Sequence, residues 1–184
     1  MKKLCLLIIC LPILALSQIN ITNECYRSSN KSFRDSLLHE MLILVNQHRI
    51  NHNIHKIVWD KQMQPACKKH SMYQAYEGGW THGQTNKKNP YYFGRMPWDR
   101  SLIAQSENVA FHYYFNSKDY NPWEEKIKNA KEIAFDIFTI WKKSPPHNEN
   151  MLDKNWNYMA FDYYGYVREK HKYYDYIHAT QLFR

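Results

Sequence analysis

The sequence has little of several features that mark particular protein classes. It holds only 5 glycines in 184 residues, and it has no phosphate-binding glycine loop, no Cys-x-x-Cys pair and no Gly-x-Ser-x-Gly nucleophile turn. After its first 17 residues no apolar run is long enough to span a membrane, and no internal repeat or low-complexity linker divides the chain. With only 4 cysteines as well, the sequence excludes a polytopic membrane protein, a multidomain array and a disulfide-rich miniprotein.

The chain begins with a segment typical of a secretory signal peptide. Two lysines precede an unbroken apolar run from Leu4 to Leu16, and the small residues Ala15 and Ser17 fit cleavage before Gln18. An uncleaved anchor is the alternative, but a run of 13 apolar residues is short for that role. We therefore expect a secreted protein, either extracellular or periplasmic.

Removal of the signal changes the charge of the chain. The remaining 167 residues have the length of one domain and carry 23 basic against 17 acidic residues, a charge of +6. That excess favours anionic partners such as envelope polymers; nucleic acid is the less favoured anion because the basic residues are scattered and the protein is exported. We expect a monomer without a membrane span after cleavage, organised as a signal peptide (1–17), an N-terminal lead segment (18–35) and one domain (36–184).

Cys25 and Cys67 are the only cysteines of the mature chain. In an exported protein an even pair suggests one disulfide, which would close a loop of about 40 residues and contribute on the order of 3 to 4 kcal/mol if unstrained. Two buried thiols are the alternative, since separation in sequence says nothing about distance in space.

Hydrophobic periodicity predicts helices first and strands last. The first predicted helix is capped by Ser32 and Asp35 and runs to about residue 50. The second follows Trp59-Asp60, has Pro65 near its first turn and stops at Gly78-Gly79, and the third runs from Asn121-Pro122 to Lys143. A hairpin of strands 157–167 and 172–183 is predicted after them. Between residues 80 and 121 the periodicity fails, which predicts a long irregular connection. Without alternation of strands and helices, the order indicates an α+β domain with an antiparallel sheet.

Histidines and carboxylates are the candidates for chemistry. His48, His52 and His55 are close enough in sequence for a surface metal site, but a solvated polar turn is the favoured interpretation because the helix should end there. Four further positions, His82, Glu107, His147 and His178, lie outside the predicted helices, and each taken alone is more often a structural residue than a ligand.

Taken in order, a set of short motifs resembles the CAP superfamily, which includes the sperm-coating-like, cysteine-rich secretory, antigen 5 and plant pathogenesis-related group 1 proteins. The motifs are Asn46 and Arg49, Trp59-Asp60, His70-Ser71-Met72, Thr81-His82, Glu107 to Ala110, Trp141, Ser144 to His147, Asn150 to Leu152 and Ala179 to Phe183. The Ser-Pro-x-His and Asn-Met-Leu block resembles the bacterial branch. The resemblance implies a three-layer α-β-α sandwich around a central antiparallel sheet.

The resemblance also implies a cleft lined by a polar tetrad, which in animal and plant members is two histidines and two glutamates. By motif, His82 and His178 resemble the histidines and Glu107 resembles the first glutamate. Ser144 stands where the second glutamate is expected, so the chain departs from the pattern there. His147, a turn onward, is the bacterial-type substitute expected at the same cleft.

Two functions are compatible with such a site. His82, Glu107 and His178 are ligand types of an open zinc site, and family members bind zinc or another divalent ion. The first function is therefore a metal-dependent hydrolase, either a peptidase or an envelope-acting enzyme. Its catalytic residues would be Glu107 and, secondarily, His147. The same residues could instead form a scaffold under a binding groove. Because no nucleophile or substrate-specific motif accompanies them, we favour a non-catalytic binding module for a small lipid or a glycan-like polymer.

Overall fold

The computed structural model describes residues 21–77, 81–84, 104–116 and 127–184; the predicted signal peptide lies outside these ranges. The helices are α1 (Tyr26–Ser29), α2 (Lys31–Asn51), α3 (Gln64–Glu77), α4 (Ala130–Lys143) and α5 (Pro145–Leu152). The strands are β1 (Ile21–Glu24), β2 (Val58–Trp59), β3 (Ser106–Phe115), β4 (Tyr158–Arg168) and β5 (His171–Phe183). No helix in the described ranges is both long and apolar enough to cross a membrane.

One sheet organises the fold. Its strand order is β1-β4-β5-β3 with antiparallel neighbours, and the two-residue β2 adds a parallel contact to β4. The predicted hairpin is confirmed: β4 and β5 pair from Met159 opposite Phe183 to Arg168 opposite His171. The polar residues Glu169 and Lys170 make the turn, where a hairpin needs solvated residues.

Helices cover both faces of this sheet, so the predicted α+β sandwich of three layers is confirmed. The main core lies between the sheet and the layer of α2, α4 and α5, and it contains the buried rings of Trp141, Phe161 and Phe183. On the other face Met63, directly before α3, and Cys67 of α3 pack against β4 and β5. Because both sheet faces are covered, the burial of β4 and β5 is nearly continuous and does not alternate along the strands.

The helix starts differ from two of the predictions. The first long helix is capped by Asn30, whose side chain accepts a hydrogen bond from the Phe33 N–H, and not by Ser32. Residues 127–129 are not helical, and α4 begins after Asn129, which forms a complete capping box with Glu132. The start predicted at Asn121-Pro122 lies outside the described residues, and the helix that runs to Lys143 begins at Ala130, where the capping box satisfies backbone donors.

The structure also places more of the chain in ordered elements than the sequence indicated. Residues 21–35, expected to be a lead segment, supply β1, α1 and the first turn of α2 to the same fold. The buried guanidinium of Arg27 in α1 binds the Asp175 carboxylate of β5 at 2.6 Å. Within the expected irregular connection, β3 is a ten-residue strand. Its first five residues are all buried, so the sequence does not show the alternation of apolar and polar residues by which a strand is predicted.

Both CAP-type motif residues of the first helix have structural roles. The Asn46 amide exchanges hydrogen bonds with the Ile57 backbone, which fixes the chain that enters β2. Arg49 is fully buried and donates to four backbone carbonyls, those of His55, Met151, Asp153 and Trp156. Arg49 therefore ties the end of α2 to the segment after α5.

The histidine cluster at the end of α2 is also accounted for by hydrogen bonds. His48 is buried and its Nε2 atom contacts the Asn148 Oδ1 atom at 2.7 Å, while Nδ1 of His52 contacts the His48 carbonyl of its own helix. Burial lowers the pKa of His48. His55 contacts the Trp156 carbonyl at 3.1 Å. His52 and His55 are exposed at the turn that ends α2, as the interpretation of a solvated polar turn predicts, whereas His48 is buried within the helix.

Cys25 and Cys67 are buried thiols and do not form the disulfide that was expected as the first alternative. Cys25 packs against β4, where its Sγ atom lies against Gly165. Cys67 faces Ala160 and Leu182 from α3. The second alternative, two buried thiols, is the one found here, since the two side chains serve as small apolar groups in separate packing sites.

Candidate functional site

The candidate site is built around one buried carboxylate, that of Glu107 in the second position of β3. Its Oε1 atom lies 3.0 Å from Nδ1 of His82 and 3.7 Å from Nε2 of His70. The Glu107 and His70 side chains are fully buried, whereas half of the His82 side chain is exposed. A buried carboxylate is stable only when hydrogen-bonded or paired; His82 supplies such a contact, while His70 lies beside the carboxylate beyond hydrogen-bond distance.

Helix α3 positions the short segment that carries His82. The Thr81 carbonyl accepts hydrogen bonds from His70 Nε2 at 2.8 Å and from Gln74 Nε2 at 3.1 Å. The other ring nitrogen of His70 lies 2.8 Å from Nε2 of Gln84. Because the Thr81 carbonyl can only accept, His70 carries its proton on Nε2, and Nδ1 accepts from the Gln84 amide. Thr81 and Gln84, which flank the segment of His82, are therefore both bound to the buried ring of His70.

Helix α5 closes the neighbouring side of the site, over the edge strand β3. The Asn108 amide donates to the His147 carbonyl at 3.1 Å, and the Asn150 amide donates to Asn108 Oδ1 at 2.8 Å. Burial, and then the nearby His82, lower the pKa of His147, so its ring is neutral near pH 7. Its Nδ1 atom is buried and has no hydrogen-bond partner within the described part of the chain. Ser144, expected at the cleft, caps α5 by its backbone and is half-buried.

His178 occupies a different environment. Its ring stacks on Tyr166 with centroids 5.9 Å apart and lies 4.8 Å from the ring of Phe111. The Tyr166 hydroxyl is 3.4 Å from His178 Nε2, and Nδ1 is buried without a partner among the described residues. Burial, with a smaller effect from Arg168, lowers the pKa of His178 to about 4. His178 is therefore a neutral ring inside an aromatic cluster.

The expected metal ligands lie at two places on one face of the sheet. Leu182 is the residue of β5 that pairs with Glu107, and His178 lies four positions further along that strand, opposite Phe111. At the usual rise per residue the backbone positions of those two β5 residues are about 13 Å apart. In the ranges that the structure describes, no group of three or more His, Cys, Asp and Glu side chains is arranged to hold a metal ion. A shared zinc centre of His82, Glu107 and His178 stays a prediction.

Sequence reasoning missed His70 as a site residue. The sequence singles out His70 only as part of the His70-Ser71-Met72 motif, within the helix predicted after Trp59-Asp60. The signal that could have found it is the spacing to Gln74, one turn onward, because two polar side chains on an otherwise buried stripe need polar partners. Those partners lie in the segment of His82.

Comparisons with known proteins agree with this architecture. The model of the cysteine-rich secretory protein family, CAP, matches residues 42–183. An extracellular protein containing an SCP domain from Bacillus anthracis superposes with a TM-score of 0.53 at 13% identity, over 82% of this chain and 41% of that one. An outer surface protein from Borrelia burgdorferi gives a TM-score of 0.51 at 13% identity, over 79% and 92% of the two chains. A sequence search of curated proteins finds no significant match. At this identity the structural likeness establishes the fold alone.

Proposed function

Because the chain belongs to the cysteine-rich secretory protein (CAP) family, we propose that it is an exported binding module. In this proposal the cleft beside His82, Glu107 and His147 holds a ligand and returns it chemically unchanged. The observation that carries the proposal is the state of Glu107. Its carboxylate is fully buried, is bound by His82 and lies beside the His70 ring, so it acts as the anchor of a preformed wall.

The surroundings of the site favour a ligand with a polar end and an apolar body. Glu107 shares a face of the sheet with Phe111 and His178, because residues that pair directly across β3 and β5 point to the same side. At one end of that face lies Glu107 with its hydrogen bond to His82, and at the other end lie the aromatic rings around His178. Phe111, on the edge strand, is half-buried. Ligand sites commonly combine aromatic walls with a few placed polar groups.

Binding of two apolar probes, a fluorescent fatty acid and a fluorescent sterol, tests the proposal. We expect saturable binding of at least one of them to the mature protein and a loss of about tenfold in affinity in His82→Ala, the magnitude of one lost polar anchor. His171→Ala is the matched control, because His171 is an exposed histidine in the β4–β5 turn. Failure of both probes to bind, or equal affinities in the two variants, would remove the proposal.

A hydrolase is the second candidate, and the His82–Glu107 pair favours it. A buried carboxylate 3.0 Å from one nitrogen of a half-exposed imidazole orients that ring as a general base, with the other nitrogen directed to a substrate or water. This arrangement needs Glu107 as a positioning residue and His82 as the catalytic residue. It does not need His178.

Turnover of peptide and envelope substrates separates the two forms of the hydrolase. A metal-dependent enzyme that uses all three residues should lose activity and zinc binding in both His82→Ala and His178→Ala. An enzyme that uses the pair alone should lose activity in His82→Ala and Glu107→Gln and keep it in His178→Phe. Activity that persists in both His82→Ala and Glu107→Gln would end the candidacy of this site.

A further inference from the structure

A groove of about 510 Å³ lies far from His82, in the helical layer on the opposite side of the sheet from α3. It is formed where the α1–α2 junction meets the start of α4. Its walls include two aromatic rings, Tyr26 and Phe33, two asparagines, Asn30 and Asn129, and two serines, Ser32 and Ser36. The volume is within the range of about 300 to 1,000 Å³ that small-ligand sites occupy.

Tyr26 gives the groove a fixed aromatic platform. The residue is 69% exposed, which is unusual for a large ring in a folded domain. Its hydroxyl nevertheless accepts a hydrogen bond from Asn30 Nδ2 at 2.7 Å, one helical turn onward. Asn30 is held in turn, because its Oδ1 atom caps α2 by accepting from the Phe33 N–H at 2.8 Å. The ring is therefore oriented before any ligand arrives, which lowers the entropy cost of binding.

Polar groups without internal partners surround this platform. Within the described residues, the hydroxyls of Ser32 and Ser36 and the Nδ2 atom of Asn129 have no hydrogen bond to another part of the chain. The Asn129 Oδ1 atom is occupied by the backbone N–H groups of Lys131 and Glu132, which fixes the direction of the amide. Ser32 and Ser36 are four residues apart on one helix and so lie on the same side of it.

We propose that this groove binds a short pyranose saccharide. The apolar C–H face of a sugar ring packs on an exposed tyrosine ring, and its hydroxyls exchange hydrogen bonds with serine hydroxyls and an amide N–H. The groove offers both kinds of surface side by side, in fixed orientations. A purely apolar ligand would leave the two hydroxyls and the amide of the groove without partners. Lys131 also lines the groove, and its ammonium group lies 3.9 Å from the Glu40 carboxylate.

Titration with two trisaccharides tests the proposal and shows which sugar substituents matter. The probes are the trimer of N-acetylglucosamine and maltotriose, followed by isotope-edited NMR on the mature protein. We expect at least one to shift the Ser32, Ser36 and Asn129 amide signals. Tighter binding of the acetylated probe would indicate that Asn129 or Lys131 binds the acetamido oxygen. Tighter binding of maltotriose would indicate that the hydroxyl groups of the sugar rings are sufficient for binding.

Two variants with different effects on the groove make the test specific. Tyr26→Ala removes the platform and Ser36→Leu fills the groove, and each should weaken saccharide binding about tenfold or more. Phe135→Ala is the matched control, because Phe135 is a 56% exposed ring on the outer side of α4 and does not line the groove. Unchanged affinity in both groove variants, or binding of a fatty acid but of neither trisaccharide at these residues, would overturn the proposal.

Discussion

Burial of His178 as a neutral ring should make folding stability depend on pH in a defined window. The pKa of His178 is about 4 in the folded protein, against about 6.5 for a histidine in an unfolded chain. Between these values the unfolded chain binds the proton and the folded protein does not. The stability contribution is therefore complete above about pH 6.5 and is lost as the pH falls towards 4.

The size of the effect follows from the same two values. The full difference corresponds to about 3 kcal/mol, and the part expressed between pH 7 and pH 5 is about 2 kcal/mol. Other groups titrate in this range, including His48 and His147, whose pKa values are also lowered by burial. A comparison of two variants isolates His178: His178→Phe keeps an aromatic ring in the cluster, and His171→Phe removes an exposed histidine from the same strand.

Urea denaturation at pH 7 and at pH 5, followed by circular dichroism, measures the difference. We expect the free energy of unfolding of His171→Phe to fall by about 2 kcal/mol more than that of His178→Phe on going from pH 7 to pH 5. An equal fall in the two variants would show that His178 takes up a proton in the folded protein, and the aromatic environment described for it would then be wrong.

Three further outcomes follow from buried contacts. Arg49→Met removes a fully buried guanidinium that donates to four backbone carbonyls through one buried and three part-buried hydrogen bonds, so its free energy of unfolding should fall by about 3 kcal/mol or more in urea denaturation; a loss below about 1 kcal/mol would contradict this role. Gly165→Ala places a methyl group 2.6 Å from the Cys25 sulfur and should lower the free energy of unfolding by about 1 to 3 kcal/mol. The double variant with Cys25→Ala should recover part of that loss; if the losses of the two single variants simply add in the double variant, the clash is excluded. Both thiols are buried, and burial raises the pKa of Cys25 to about 12, so both should react with Ellman's reagent only after unfolding and without prior reduction. If they react only after a reductant is added, the two cysteines form a disulfide and this assignment is wrong.

The sequence allowed the layers of the fold to be predicted because they depend on strong local patterns. The stripe from Ile133 to Trp141 repeats with the period of a helix and is buried, and the tyrosine-rich, β-prone composition of 157–167 and 172–183 indicated the hairpin. The parts that were missed have no such period. Helix α5 starts with Pro145 and Pro146, which can occupy a first turn but read as a loop, and β3 is buried on both faces.

The candidate site was predicted in part for a similar reason. Motif order identified His82, Glu107 and His147, and the structure brings these to one region. It also suggested that His178 would join them; in the structure His178 pairs with Phe111, four residues along β3 from Glu107, and that spacing depends on strand register. His70 was missed because its role depends on the segment that folds back over α3.

The fate of the bound ligand tests the central proposal most directly. Mass spectrometry can identify what the exported protein carries after purification and then after prolonged incubation, in the wild type and in His82→Ala. We expect the wild type to carry one species that is recovered unchanged, and His82→Ala to have lost it. Accumulation of cleaved products with the wild type and not with His82→Ala would contradict a binding module and establish the His82–Glu107 pair as a hydrolytic site.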